Sequence, residues 1–184
     1  MVLVLASRSP RRQEILRRAG IAFTVRPADV DETPIGREDP MEHVRRLAFD
    51  KAMAVECAEG ETVLGADTVV VAGGEILGKP SGAADAARML RILSGRDHEV
   101  LTGICLRTSR RQVVDVEATR VWFRTLSDCD IDAYIASGEP MDKAGAYAIQ
   151  GLASKFIPRI EGCFFNVVGL PVAMVAAHLE DLSK

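Results

Sequence analysis

The chain has little of what would settle its class at a glance. Its 184 residues hold four cysteines and three histidines, and neither set shows the paired spacing of a zinc site or a disulfide framework. Cys57, Cys105, Cys129 and Cys163 read instead as buried thiols of a reducing compartment. His43, His98 and His178 are scattered and suggest neither a metal site nor a triad. Aromatic residues make up 5% of the chain, and Trp122, Phe123, Phe156, Phe164 and Phe165 read as core or dimer-contact residues. A formal net charge of −3 leaves no broad basic surface, which excludes a general nucleic-acid binder. No apolar run reaches the length of a membrane span. Residues 1–6 are too short for a signal core and are followed, not preceded, by arginines, so a soluble cytoplasmic protein with no membrane partner is expected. Internal repeats and low-complexity tracts are lacking as well.

What the chain does have begins at Leu5-Ala-Ser-Arg-Ser-Pro-Arg-Arg12. Residues 1–5 read as a buried strand that empties into hydroxyls and guanidiniums at the start of a helix. Pro10 suits the first helical turn, Arg12, Ile15, Leu16 and Ala19 recur at helical spacing, and Gly20 closes the segment. Ser7, Ser9, Arg8, Arg11 and Arg12 are therefore expected to converge with helix N-terminal amides on one point, where an anion would be held. Ser9 as a plain N-cap and the arginines as a solvated face is the competing reading.

Strand and helix signals alternate along the rest. A strand falls near residues 23–26, then an acidic, proline-bearing loop over 27–40, then a helix with Val44, Leu47, Ala48, Lys51, Ala52 and Val55 on one side, running to the Glu59-Gly60 break. Residues 62–71 read as a central strand, with Gly73-Gly74 at the tip of a hairpin that returns through Ile76-Leu77. Helices are predicted over 83–93, 128–136 and 172–182, and long strands over 99–108 and 112–123. Arg107, Arg110 and Arg111 read as a solvated turn between the last two. Long neighbouring strands mixed with helical connections point to an α/β fold with a twisted mixed sheet flanked by helices, in a single domain spanning 1–184.

Four side chains stand out chemically. Asp67 lies in an otherwise apolar strand, where a carboxylate is costly to bury without a task or a partner such as a nearby arginine. Glu32, beside Asp29 and Asp31, offers the hard oxygen donors that suit Mg²⁺ or Mn²⁺, or is part of a solvated acidic loop. Lys51 on its apolar stripe reads as a snorkelling side chain or a ligand. Lys79, between Gly78 and Pro80, follows no G-x-x-x-x-G-K-[ST] pattern, which excludes a P-loop.

Read with Asp31-Glu-Thr-Pro34, Leu47-Ala-Phe-Asp-Lys-Ala52, Gly65-Ala-Asp-Thr-Val-Val70, Gly78-Lys-Pro80, Gly145-Ala-Tyr-Ala-Ile-Gln-Gly151 and Glu161-Gly-Cys-Phe-Phe-Asn-Val-Val-Gly-Leu-Pro171, the opening motif resembles the Maf, or septum-formation, family of nucleotide pyrophosphatases. The order and spacing of the motifs carry the resemblance over nearly the whole chain. Residues 138–151 are similar to the branch that hydrolyses dTTP and UTP. From the chemistry of the residues themselves, Glu32 and Asp67 are the expected ligands of a divalent cation, Mg²⁺ or Mn²⁺, if the fold brings them together, since the metal would offset their mutual repulsion. The resemblance implies a fold similar to the inosine triphosphate pyrophosphatases, a cleft between two lobes, a homodimer and a small-molecule nucleotide substrate. It makes Asp67 the general base and Ser7, Arg12, Lys51 and Lys79 the phosphate contacts. Arg11, Thr68 and Gln150 fall where base preference is set; a carboxamide can read a pyrimidine's carbonyl and N–H edge, though Gln150 taken alone is equally a surface amide. Arg8 stands where many members carry a smaller residue. The family's association with septum formation keeps one alternative, a nucleotide-binding regulator without turnover.

Overall fold

The computed structural model describes residues 2–183; the reading of Met1 as strand lies outside them. In chain order the elements are β1 (Val2–Leu5), α1 (Pro10–Arg18), β2 (Phe23–Val25), α2 (Pro40–Met53), β3 (Glu61–Ala72), β4 (Glu75–Leu77), α3 (Ala83–Leu93), β5 (Asp97–Arg107), β6 (Gln112–Trp122), α4 (Asp128–Ala136), β7 (Arg159–Glu161), α5 (Phe164–Val168) and α6 (Val172–Leu182). Short 3₁₀ turns at Glu139–Asp142, Ala144–Ala146 and Leu152–Phe156 separate α4 from β7. The strands form a seven-stranded sheet in the order β2-β1-β3-β5-β6-β7, with β4 on β3. β1 pairs in parallel with both β2 and β3, while β4 and β7 pair antiparallel with β3 and β6. The mixed α/β class read from the sequence is the class observed.

Contacts divide the chain into two compact units, residues 1–68, 102–117 and 169–184 in the first, residues 69–101 and 118–168 in the second. In the first unit, Asp39 caps α2 by accepting from the Met41 and Glu42 amides, and Pro40 takes the first helical turn without wasting an amide donor. Val44, Leu47, Ala48 and Ala52 of α2 are fully buried, and Ala48, Ala52 and Val55 pack with Val4, Ala6, Val63 and Cys105. The helix lies against the strands at two glycines. A Cβ on Gly65 would stand 2.1 Å from the Ala48 carbonyl oxygen, and one on Gly103 would stand 2.2 Å from that of Val44. Both separations are impossible for real atoms, so glycine at these sites is what lets α2 sit this close to β3 and β5.

The second unit has its own core. Ala86, Met89, Leu90 and Leu93 of α3 pack with Val121, Phe123, Ile131, Tyr134, Tyr147 and Phe156. Phe123 and Tyr147 meet edge-on at a centroid distance of 4.9 Å, and Tyr134 and Phe156 at 5.5 Å, the arrangement that the ring quadrupole favours. The β3–β4 hairpin turns through Gly73 and Gly74 at φ of 59° and 82°, the left-handed pair that a tight two-residue turn requires.

Several boundaries differ from the sequence reading. The helix expected to run to Glu59-Gly60 ends at Met53, yet Val55 stays buried. Arg107 Nη2 donates to the Val55 carbonyl, so this arginine anchors the chain after α2 and is half-buried, not part of a solvated turn. Ala19 is exposed as the C-cap of α1. β7 and α5 were not expected. Of the cysteines, all free, Cys105 is buried, Cys57 and Cys163 are half-buried and Cys129 is exposed. Phe164 and Phe165 are also exposed, whereas Phe123 and Phe156 are core.

Candidate active site

The segment after β1 folds back on itself through side-chain hydrogen bonds. Ser9 caps α1 by accepting from the Arg12 amide at 3.4 Å, and Ser7 Oγ accepts from the Ser9 amide at 3.2 Å. Arg12 points inward. Its Nε donates to the Gly169 carbonyl at 2.9 Å, Nη1 to Ser7 Oγ at 3.2 Å and Nη2 to Thr68 Oγ1 at 3.1 Å. Thr68 in turn shares a 2.9 Å hydroxyl–hydroxyl bond with Thr102. Burial pushes the guanidinium below its usual range, with Asp67 and Glu32 opposing that and Arg11 adding to it. The structure thus brings Ser7, Ser9, Arg12 and Thr68 together. Arg8 is exposed and Arg11 half-buried.

The second cluster follows from the close seat of α2. Because Gly65 admits the helix, Lys51 of α2 reaches Asp67 two residues further along β3. Nζ lies 2.7 Å from Asp67 Oδ1 and 2.5 Å from Glu32 Oε1. Lys51 and Asp67 are both buried, at 8% and 7% exposure, whereas Glu32 approaches from an exposed loop. Lys51 is therefore no snorkelling side chain; it is the shared counter-ion of two carboxylates. The partner of Asp67 is this lysine and not the arginine that its burial also allowed. Glu32 and Asp67 are the carboxylates here that could offer hard oxygen donors to a divalent cation; Lys51 already balances their charge, and among the described residues no group of three or more His, Cys, Asp or Glu side chains comes together.

The loop that carries Glu32 is tied down by polar groups. Arg46 of α2 grips both oxygens of Glu38, with Nε 2.7 Å from Oε1 and Nη2 2.8 Å from Oε2, and His43 Nδ1 lies 2.9 Å from Oε2. These contacts hold the Glu38 carboxyl down to about 2, the Arg46 fork contributing most.

Lys79 and Gln150 belong to the second unit and both are exposed. Their two segments are joined there by the Gly145 amide, which donates to the Gly78 carbonyl at 3.0 Å. The stretch that bears Gln150 is held from several sides. The Ala148 amide donates to Tyr134 Oη at 3.1 Å, the Leu152 amide to Glu139 at 3.0 Å, and His98 Nε2 lies 2.8 Å from Tyr147 Oη. Ala146 adopts φ of 56°, a left-handed conformation that costs an L-residue about 1–2 kcal/mol. Burial pushes the His98 imidazole down to about 4. Sequence reasoning gave His98, Tyr134 and Glu139 no part in this. The one signal was the place of His98 directly before the strand expected over 99–108, which the structure extends back to Asp97.

The Maf-like protein family model matches residues 2–182. The chain belongs to the Maf family. Among its curated relatives, the dTTP/UTP pyrophosphatase of Koribacter versatilis is 53% identical over 95% of this chain and 91% of its own length. That of Citrifermentans bemidjiense is 55% identical over 96% and 93%, and that of Anaeromyxobacter dehalogenans strain 2CP-C 54% over 96% and 92%. A solved HAM1 protein from Coxiella burnetii is similar at a TM-score of 0.45 and 19% identity, over 82% of this chain and 88% of that one. Every Maf residue proposed from sequence except Lys79 and Gln150 falls in the first unit, around the Arg12 and Lys51 clusters.

Proposed function

We propose that this Maf protein is a nucleoside triphosphate pyrophosphatase that hydrolyses dTTP and UTP to the monophosphate and pyrophosphate. The observation that carries the reading is the convergence of Glu32, Lys51 and Asp67 beside the hydrogen-bonded cluster of buried Arg12 and Ser7 with half-buried Thr68. Curated relatives that are 53–55% identical to the chain over the aligned residues and are named for this activity support it.

In this mechanism Asp67 accepts a proton from a water that attacks the α-phosphorus. The bond from that phosphorus to the oxygen bridging to the β-phosphorus breaks, and pyrophosphate leaves with the bridging oxygen. Lys51, held beside Asp67, supplies positive charge to the phosphates, with Ser7, Arg12 and Lys79 as further phosphate contacts. Glu32 and Asp67 would hold a Mg²⁺ or Mn²⁺, which when bound supplies counter-charge to the phosphate oxygens. Arg11, Thr68 and Gln150 select the pyrimidine, Gln150 through the donor and acceptor of its carboxamide. A cytoplasmic setting and a homodimer belong to the same proposal; free thiols support the first and the exposed Phe164 and Phe165 the second. A regulator of septum formation without turnover is not favoured, because sensing alone does not call for two carboxylates focused on one lysine.

Hydrolysis of dTTP in ¹⁸O-water tests the reaction. Label in the nucleoside monophosphate and none in pyrophosphate is expected; label in pyrophosphate would place the attack at the wrong phosphorus and overturn it.

A further inference from the structure

The loop over residues 26–39 contains no helix or strand, and all its side chains are exposed or half-exposed. On the near side of Glu32 the loop has apolar hold, since Ala28 packs against the core of Val4, Ala48 and Val63 and Val30 is half-buried. On its far side Ile35 is 65% exposed, so apolar burial does not fix residues 33–38, and Glu32 must be held from that side by other means if it is to face Asp67. The polar contacts converge elsewhere, on Arg46. Besides gripping Glu38, Arg46 Nη2 donates to the carbonyl of Thr33, the residue next to Glu32, at 3.3 Å. The Thr33 amide donates to Asp31 Oδ1 at 2.9 Å. At the far side the Glu38 carboxylate accepts from the Ile35 amide at 3.4 Å, and the Glu38 amide donates to the Ile35 carbonyl at 3.2 Å. One guanidinium thus holds the loop at Thr33 and, through Glu38, at Ile35.

We infer that Arg46 is a positioning residue for Glu32: with Glu38 it clamps the loop to α2, the helix that also carries Lys51, and so sets the approach of Glu32 to Asp67. This rests on the proposed role of Glu32 and Asp67 as divalent-cation ligands. The geometry explains why an arginine is used. A planar fork can take both oxygens of Glu38 and still direct Nη2 to a backbone carbonyl, whereas a lysine has one point charge to offer. His43, at 4% exposure, closes the remaining side of the Glu38 carboxylate. Asp50 Oδ2 lies 3.5 Å from Arg46 Nη1 and steadies the guanidinium along the helix. Arg46 touches neither Asp67 nor Lys51 in any of these contacts, so its influence passes through the loop backbone.

The test is Mn²⁺ binding by calorimetry to the full-length protein without nucleotide, alongside amide hydrogen exchange, for the wild type, Arg46→Gln, Arg46→Lys and Glu32→Gln. Groups that orient a metal ligand commonly change metal affinity by about 10–100-fold when removed. Arg46→Gln is expected to weaken Mn²⁺ by at least about tenfold and to speed exchange at residues 31–38 while leaving β3 unchanged. Arg46→Lys should restore part of the affinity. Wild-type affinity and wild-type loop exchange in Arg46→Gln would overturn the inference. If Glu32→Gln binds Mn²⁺ as well as the wild type, the cation assignment itself fails; the clamp then stands if Arg46→Gln still speeds loop exchange and falls if it does not.

Discussion

Gly65 faces Ala48 across a gap that no side chain can enter, since a Cβ on Gly65 would sit 2.1 Å from the Ala48 carbonyl oxygen and 2.7 Å from the Ala52 amide nitrogen. Backbone lies on both sides, so the misfit cannot be relieved by a side-chain rotation. Gly65→Ala must push α2 off β3, and overpacking of this kind costs about 1–3 kcal/mol, occasionally more. Urea unfolding should show that loss. Because the same contact brings Lys51 to Asp67, activity measured on the folded fraction should fall with it.

Lys51 is the shared partner of Glu32 and Asp67. Lys51→Met leaves two carboxylates facing each other with their common cation gone and removes charge aimed at the phosphates. Pyrophosphate release should drop by about 100-fold or more, the usual loss for one electrostatic group at such a site, with the circular dichroism spectrum unchanged. Steady-state kinetics at saturating nucleotide would check it.

Arg12 uses three nitrogens on three partners, Gly169, Ser7 and Thr68. Lysine cannot make that fork. Arg12→Lys should destabilise the fold by about 1–3 kcal/mol, because buried acceptors lose a charged donor. It should also reduce kcat/KM by about tenfold, the equivalent of one such hydrogen bond.

Buried His98 makes stability depend on pH in a defined window. Its imidazole is held down to about 4 from an ordinary 6.5, so between those values the unfolded chain takes up a proton that the folded chain refuses. The contribution is complete above pH 6.5 and is lost as pH falls toward 4, on the order of 3 kcal/mol in all. The low Glu38 carboxyl acts in a lower window, from its ordinary 4.5 down to about 2. Denaturation curves from pH 7 to 4 should therefore slope for the wild type and flatten for His98→Leu.

How much of this could be read from the sequence depends on how local the cause is. α3, α4 and α6 begin and end where their periodicity and stop residues said, and the hairpin turns at Gly73-Gly74 as expected. α2 was read too long because its apolar period continues through Val55 while the backbone is captured by Arg107, 52 positions away. β7 has three residues and no alternation of its own; its strand state comes from register with β6, Arg120 against Glu161 and Trp122 against Arg159. The candidate site divides in the same way. The residue types at 32, 51 and 67 were informative, but the sharing of Lys51 between two carboxylates, the Thr102 hydroxyl behind Thr68 and the Arg46 clamp are all products of tertiary packing.

The central claim is tested most directly by incubating the purified protein with each common nucleoside triphosphate and Mg²⁺ or Mn²⁺ and counting released pyrophosphate, with Asp67→Asn beside it. Selective cleavage of dTTP and UTP, abolished in Asp67→Asn, is the predicted result. Nucleotide binding without pyrophosphate release from dTTP or UTP, or equal turnover by Asp67→Asn, would contradict it.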